Sequence, residues 1–129
     1  MLIVEDQEQM RRVLREFLQS AYADAVILEA ADGARGLEFC RSQRPQLVLV
    51  DISLPDANGI DLTAQIREML PETAVIVVSQ HAAPAYVDRA HAAGAFAYVK
   101  KDRAYRELLP AIKLALEGTQ SKPRDGDPQ

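Results

Sequence analysis

Apolar residues along this chain fall into short blocks separated by stretches with helical spacing. Leu2-Ile3-Val4 is the first block. Behind it, Met10, Val13, Leu14, Phe17 and Leu18 recur at three- and four-residue intervals, as on one face of an amphipathic helix. Val26-Ile27-Leu28 reads as a second strand. A helix over Gly33 to Arg44 follows, anchored by Leu37 and Cys40 and stopped by Pro45. Leu47 to Val50 is a third strand, apolar without alternation, as expected when both faces are covered. Ile60, Thr63, Ile66 and Leu70 predict a helix opening near Gly59 and closing at Pro71. Then come a fourth strand from Ala74, a helix over Ala85 to Ala93 and a fifth strand over Phe96 to Val99. Leu108, Leu109, Ile112 and Leu116 mark a last helix, in which Pro110 removes a backbone donor and predicts a kink or a thinner early part.

Strands and helices alternating five times make a (βα)5 pattern, which predicts an α/β, doubly wound parallel sheet with helices on both faces. Functional crevices in such sheets lie beyond the carboxyl ends of the strands. The organised part ends near Glu117; residues 118–129, "GTQSKPRDGDPQ", are polar and breaker-rich and read as a flexible tail or the start of a linker.

Composition narrows the class. The 129 residues suit one domain, and 48% hydrophobic content is enough for a core without staples. A single cysteine, Cys40, allows no intrachain disulfide and agrees with a reducing, cytoplasmic setting. No stretch resembles a signal peptide or membrane span. The net charge of −4 argues against a nucleic-acid surface, which is ordinarily basic.

The carboxyl-end rule then collects the chemistry. Strand 1 ends at Glu5-Asp6, strand 3 at Asp51, strand 4 at Ser79 and strand 5 at Lys100-Lys101. Crowded carboxylates resist ionising together unless a cation intervenes. A hard divalent ion such as Mg²⁺, taking oxygen ligands and a phosphoryl group, would relieve them. An ammonium supplies a fixed positive charge and a hydroxyl can donate to an added anion. The set suits phosphoryl transfer to a carboxylate.

Each residue taken alone admits a plainer explanation. Glu5-Asp6 ahead of a helix could serve capping and the helix dipole. Asp51 could cap a turn, Ser79 could be an ordinary loop residue, and the two lysines a solvated strand end. His81 and His91 lack a second ligand at metal-site spacing and read as structural or exposed. Tyr98 reads as a half-buried strand aromatic. Placement at successive strand ends is what favours the functional reading.

With those residues assembled, the chain resembles the receiver domain of bacterial response regulators, the CheY-like fold. The resemblance covers Leu2 to Glu117 and rests on "LIVED", "VLVDISLPDANGIDL", "VIVVSQH" and "AGAFAYVKKD". It implies a sheet of order 2-1-3-4-5 and a receiver spanning residues 1–117. It also implies Asp51 as phosphoacceptor, and Mg²⁺ held by Asp6, Asp51 and the backbone carbonyl of Ser53, with Glu5 acting through water. Ser79 stands at the family's Ser/Thr position, Lys101 rather than Lys100 at its lysine, and Tyr98 at its switch aromatic. "SQH", "KKD" and "ELLPAIKLALEG" are similar to the NarL/FixJ type. The implied partner is a sensor histidine kinase or phosphotransfer protein, with no direct nucleic-acid contact by this domain, no membrane, and a homodimer on phosphorylation as a further option. Such a domain is a regulatory phosphoacceptor rather than an enzyme, although it assists its own phosphorylation and dephosphorylation.

The output is expected to be transcriptional, through a helix-turn-helix absent from this chain. Alternatives are a stand-alone receiver or phosphorelay shuttle, and a pseudo-receiver that never takes phosphate. A haloacid-dehalogenase-type phosphatase would want a second aspartate where Ser53 stands, and a nucleotide-binding domain would want a glycine-rich loop in place of "EDQEQM". Two departures from the family pattern stand out: Gln80 beside the phosphoacceptor position, where a smaller or apolar residue is usual, and Ala57 in place of the common methionine.

Overall fold

The computed structural model describes residues 1–121, with side chains through residue 118. Its elements are β1 (Leu2–Val4), α1 (Glu8–Ala21), β2 (Leu28–Ala30), α2 (Gly33–Gln43), β3 (Leu47–Val50) and α3 (Gly59–Met69), then β4 (Ala74–Ser79), α4 (Pro84–Ala92), β5 (Ala97–Lys100), a short 3₁₀ turn (Lys101–Arg103) and α5 (Ala104–Ser121). All strand pairs are parallel, in the order β2-β1-β3-β4-β5. That is the expected doubly wound sheet.

Alternate side chains of these strands leave by opposite faces. Ile3, Leu49, Ile76 and Val99 pack with Leu14, Leu18, Leu108 and Ile112 of α1 and α5. Leu2, Val4, Val48 and Val75 pack with Cys40, Leu62 and Ile66 of α2 and α3. Both faces are therefore dry, which is why β3 is apolar throughout and β4 is apolar up to Ser79. The chain order reverses between β1 and β3, so the crevice between helices on opposite faces opens at their carboxyl ends.

Helix starts are set by local side chains. Asp32 accepts from the Arg35 N–H ahead of α2, and Asn58 accepts from the Ile60 and Asp61 N–H groups ahead of α3. Helix α2 ends on Arg44, in the left-handed region at φ 45°, with Pro45 barring its continuation.

Several features differ from expectation. Strand β2 is Leu28–Ala30, not Val26–Leu28, because its register against β1 pairs Leu2 with Leu28 and Val4 with Ala30. Val26 is 74% exposed, and its carbonyl accepts instead from the amino terminus. Val13 lies outside the buried face of α1, which covers Leu14 and Leu18. Helix α5 runs unbroken through Pro110; Arg106, whose carbonyl loses that bond, is exposed, so water can stand in. The same helix continues through Ser121, past the boundary expected at Glu117. The rest of the expected tail, residues 122–129, lies outside the described residues.

Candidate functional site

Parallel register builds the centre of the site. Val4 pairs with Val50, so the next residues on the two strands, Glu5 and Asp51, emerge side by side at the reversal of strand order. Backbone bonds extend each strand by one residue: Glu5 N–H donates to the Ala30 carbonyl at 3.0 Å and Asp51 N–H to the Val4 carbonyl at 3.1 Å. Both carboxylates are buried, at 1% and 6% exposure. Gly59 completes the enclosure, because a Cβ there would lie 2.0 Å from the Asp51 carbonyl oxygen. The start of α3 can sit this close to Asp51 only without a side chain.

Lys101 enters from the far edge. The 3₁₀ turn after β5 carries its ammonium 3.0 Å from Glu5 Oε1 and 3.4 Å from Asp51 Oδ2. Lys100, its neighbour, instead lines a groove of about 470 Å³ beside the site with Met10, Gln80, Ala82, Lys101 and Asp102. Burial pushes the Glu5 carboxyl above its ordinary range; Lys101 and the Gln7 N–H pull it down, and the Asp51 charge adds to the rise. Burial likewise raises Asp51, opposed by Lys101 and by the Ile52 and Ser53 N–H groups. Two buried carboxylates thus share one ammonium.

Asp6, exposed at the rim, brings a third carboxylate. One oxygen from each of Glu5, Asp6 and Asp51 lies within 4.8 Å of the others. An all-oxygen donor set with surplus negative charge suits a hard divalent cation such as Mg²⁺. Ser53, two residues beyond Asp51, sits in a loop closed at its base by a Ser53–Asn58 bridge and by the Gly59 N–H on the Ile52 carbonyl at 2.8 Å.

Ser79 ends β4, fully buried, opposite Lys100 of β5. Its Oγ accepts from the His81 N–H at 3.1 Å. The Tyr98 hydroxyl donates to the His81 carbonyl at 2.8 Å. Burial raises the Tyr98 phenol, with its contact to Ser79 acting in the opposite sense. The predicted residues Glu5, Asp6, Asp51, Ser53, Ser79, Tyr98 and Lys101 therefore occupy one end of the sheet.

One residue of this end had no role in the sequence reading. His81, expected to be structural or exposed, is half-buried: its Nε2 lies 3.1 Å from Ser53 Oγ and its ring stacks on Tyr86. Its place two residues after Ser79 was the available signal, but a lone histidine in a loop says nothing about what its ring meets. His91 conforms to expectation, with Nδ1 3.3 Å from the Ala95 carbonyl.

Comparison with known proteins bears on this arrangement. The family profile described as response regulator receiver domain matches residues 1–113. Transcriptional regulatory protein PdtaR of Mycobacterium tuberculosis is 33% identical over 117 residues, covering 89% of this chain and 55% of its own length. The chain thus spans about half the length of the curated relatives it matches. Among solved structures, a LuxR-family two-component response regulator from Aurantimonas sp. SI85-9A1 is 31% identical with a TM-score of 0.85, covering 91% of this chain and 84% of its own. A CheY-like receiver domain protein from Methanospirillum hungatei JF-1 is 28% identical with a TM-score of 0.86, covering 94% and 95%. The NarL/FixJ-type spelling of the sequence agrees with the LuxR-family neighbour.

Proposed function

This chain belongs to the response regulator receiver family, and from that premise we propose that Asp51 accepts a phosphoryl group from a histidine kinase or phosphotransfer protein in two-component signalling. The observation that carries the reading is the pairing of buried Glu5 and Asp51 across adjacent strand ends, both facing Lys101.

Asp51 is the nucleophile. One of its carboxylate oxygens attacks the phosphorus of a phosphohistidine; the O–P bond forms as the P–N bond breaks, and the departing imidazole keeps the electron pair and takes a proton from solvent. Lys101 steadies the phosphoryl oxygens as charge shifts among them. Glu5, Asp6, Asp51 and the Ser53 carbonyl would hold Mg²⁺, which when bound neutralises the crowded carboxylates and the incoming phosphoryl oxygens. Glu5 also keeps the Lys101 ammonium within reach of Asp51.

The product is an acyl phosphate with added negative charge and strong acceptor oxygens. Ser79 turns its hydroxyl toward it and Tyr98 shifts with Ser79, biasing a two-state equilibrium of the face formed by α4, β5 and α5. A coupling of about 1–3 kcal/mol is ordinary for such a switch. Acting in the cytoplasm as a regulatory domain, the receiver would pass this shift to a transcriptional output outside the chain.

The test is mass spectrometry after incubation with Mg²⁺ and acetyl phosphate. Wild type gains one phosphoryl group and Asp51→Ala gains none. Equal gain by both, or none by wild type, refutes the assignment and favours a receiver-like interaction module.

A further inference from the structure

We infer that His81 couples the phosphoacceptor loop to helix α4, an inference that rests on the reading of Asp51 given above. Four contacts meet at this residue. Its Nε2 lies 3.1 Å from Ser53 Oγ, in the loop that follows Asp51. Its N–H donates to Ser79 Oγ at 3.1 Å, and its carbonyl accepts from the Tyr98 hydroxyl at 2.8 Å. Its ring stacks on that of Tyr86, with centroids 4.6 Å apart and planes inclined by 28°.

Tyr86 is in the first turn of α4, and that helix is lightly held. Ala90 is its one buried residue, and Ala83 ahead of it supplies no side-chain cap. The His81 stack adds to the packing of Tyr86 against the buried cluster of Ile52, Ile60, Val77, Ala90 and Ala95, and joins that side chain to the β4–α4 loop. His81 touches the loop, the hydroxyl, the phenol and the helix at once. A movement of Ser53 or Ser79 on phosphorylation displaces the imidazole, and Tyr86 must follow or lose its partner. The backbone of His81 carries the Ser79–Tyr98 link in any variant; the side chain carries the link from Ser53 to Tyr86 of α4.

Backbone hydrogen exchange separates these parts, measured for α4 and α2 in wild type, His81→Ala and His81→Phe, each with and without acetyl phosphate and Mg²⁺, with intact mass recorded on the same samples. Without phosphodonor, α4 amides exchange roughly two- to ten-fold faster in His81→Ala, the size set by one aromatic pair, while His81→Phe keeps the stack and wild-type protection. On phosphorylation, α4 exchange changes by less in His81→Ala than in wild type, the Ser79–Tyr98 route remaining, while α2 is alike in all three proteins. Unaltered α4 exchange in resting His81→Ala, a wild-type response in the phosphorylated variant, or equal acceleration in α2, which reports general loosening, would overturn the inference while leaving Asp51 as phosphoacceptor. Absence of phosphoryl mass on wild type sinks both.

Discussion

The Lys101 ammonium stands 3.4 Å from Asp51 Oδ2, joining residues fifty positions apart in the chain. The same nitrogen is 3.0 Å from Glu5 Oε1, so one cation serves two buried anions. Removing one member of a buried charged cluster leaves the others unpaired, which costs more than the pairing itself contributes.

Lys101→Ala is therefore expected to lose about 3 kcal/mol of stability, read from urea unfolding. Phosphorylation by acetyl phosphate should slow by about 10²-fold, as for loss of one preorganised donor to transferring oxygens. Lys100→Ala, on the wall of the neighbouring groove, should do neither.

Glycines test the packing of the site. Gly59→Ala forces a Cβ into a space where the Asp51 carbonyl lies 2.0 Å away, and backbone cannot yield as a side chain can. A loss of about 3 kcal/mol or more is expected, with phosphoryl uptake impaired. A Cβ at Gly118 meets nothing within 4 Å among the described residues, and Gly118 lies in α5, so Gly118→Ala should gain about 0.5 kcal/mol from helix propensity. Denaturation midpoints of the two variants should move in opposite directions.

A pH-dependent contact ties the phosphoacceptor loop to α2. The Asp56 carboxylate accepts from the Gly33 N–H at 2.8 Å and the Ala34 N–H at 3.0 Å, and these bonds hold its pKa below the ordinary value of 3.8. A folded-state pKa below the unfolded one means stability that is present above the ordinary value and is lost as pH falls through the lowered one. The gap in melting temperature between wild type and Asp56→Asn should be open at pH 6 and narrow as the pH falls below the ordinary carboxylate value. A gap that widens on acidification would contradict the assignment.

Cys40 is fully buried in the α2–α3 layer, and burial raises its thiol to a pKa of about 11. At pH 8 about one thiol in a thousand would be thiolate, the reactive form. An aromatic disulfide reagent should leave native protein essentially unmodified and react at once after denaturation. Rapid modification of the native form would show that the layer opens.

Much of the site was legible because strands and helices announce themselves by local period. Asp51 follows four apolar residues, and a buried parallel strand must deliver its last side chain to one edge of the sheet. Glu5, Ser79 and the Lys100-Lys101 pair followed by the same rule, and the family resemblance singled out Lys101. Strand β2 was misplaced by two residues because Ile27 and Val26 are better strand formers than Glu29 and Ala30; the salt bridges of Glu29 to Arg11 and Arg15 are invisible to propensity.

What the sequence determined by itself was the order of elements, the parallel doubly wound class and the kinds of side chain at each strand end. These depend on neighbours a few residues away, where periodicity and turn chemistry act. Which residues touch was decided only by tertiary structure. The register of β1 on β3 sets Glu5 beside Asp51, the 3₁₀ turn aims Lys101 rather than Lys100 at them, and the β4–α4 loop lays His81 against Ser53 and Tyr86. Those contacts join distant parts of the chain, and their geometry exists only once both faces of the sheet are packed.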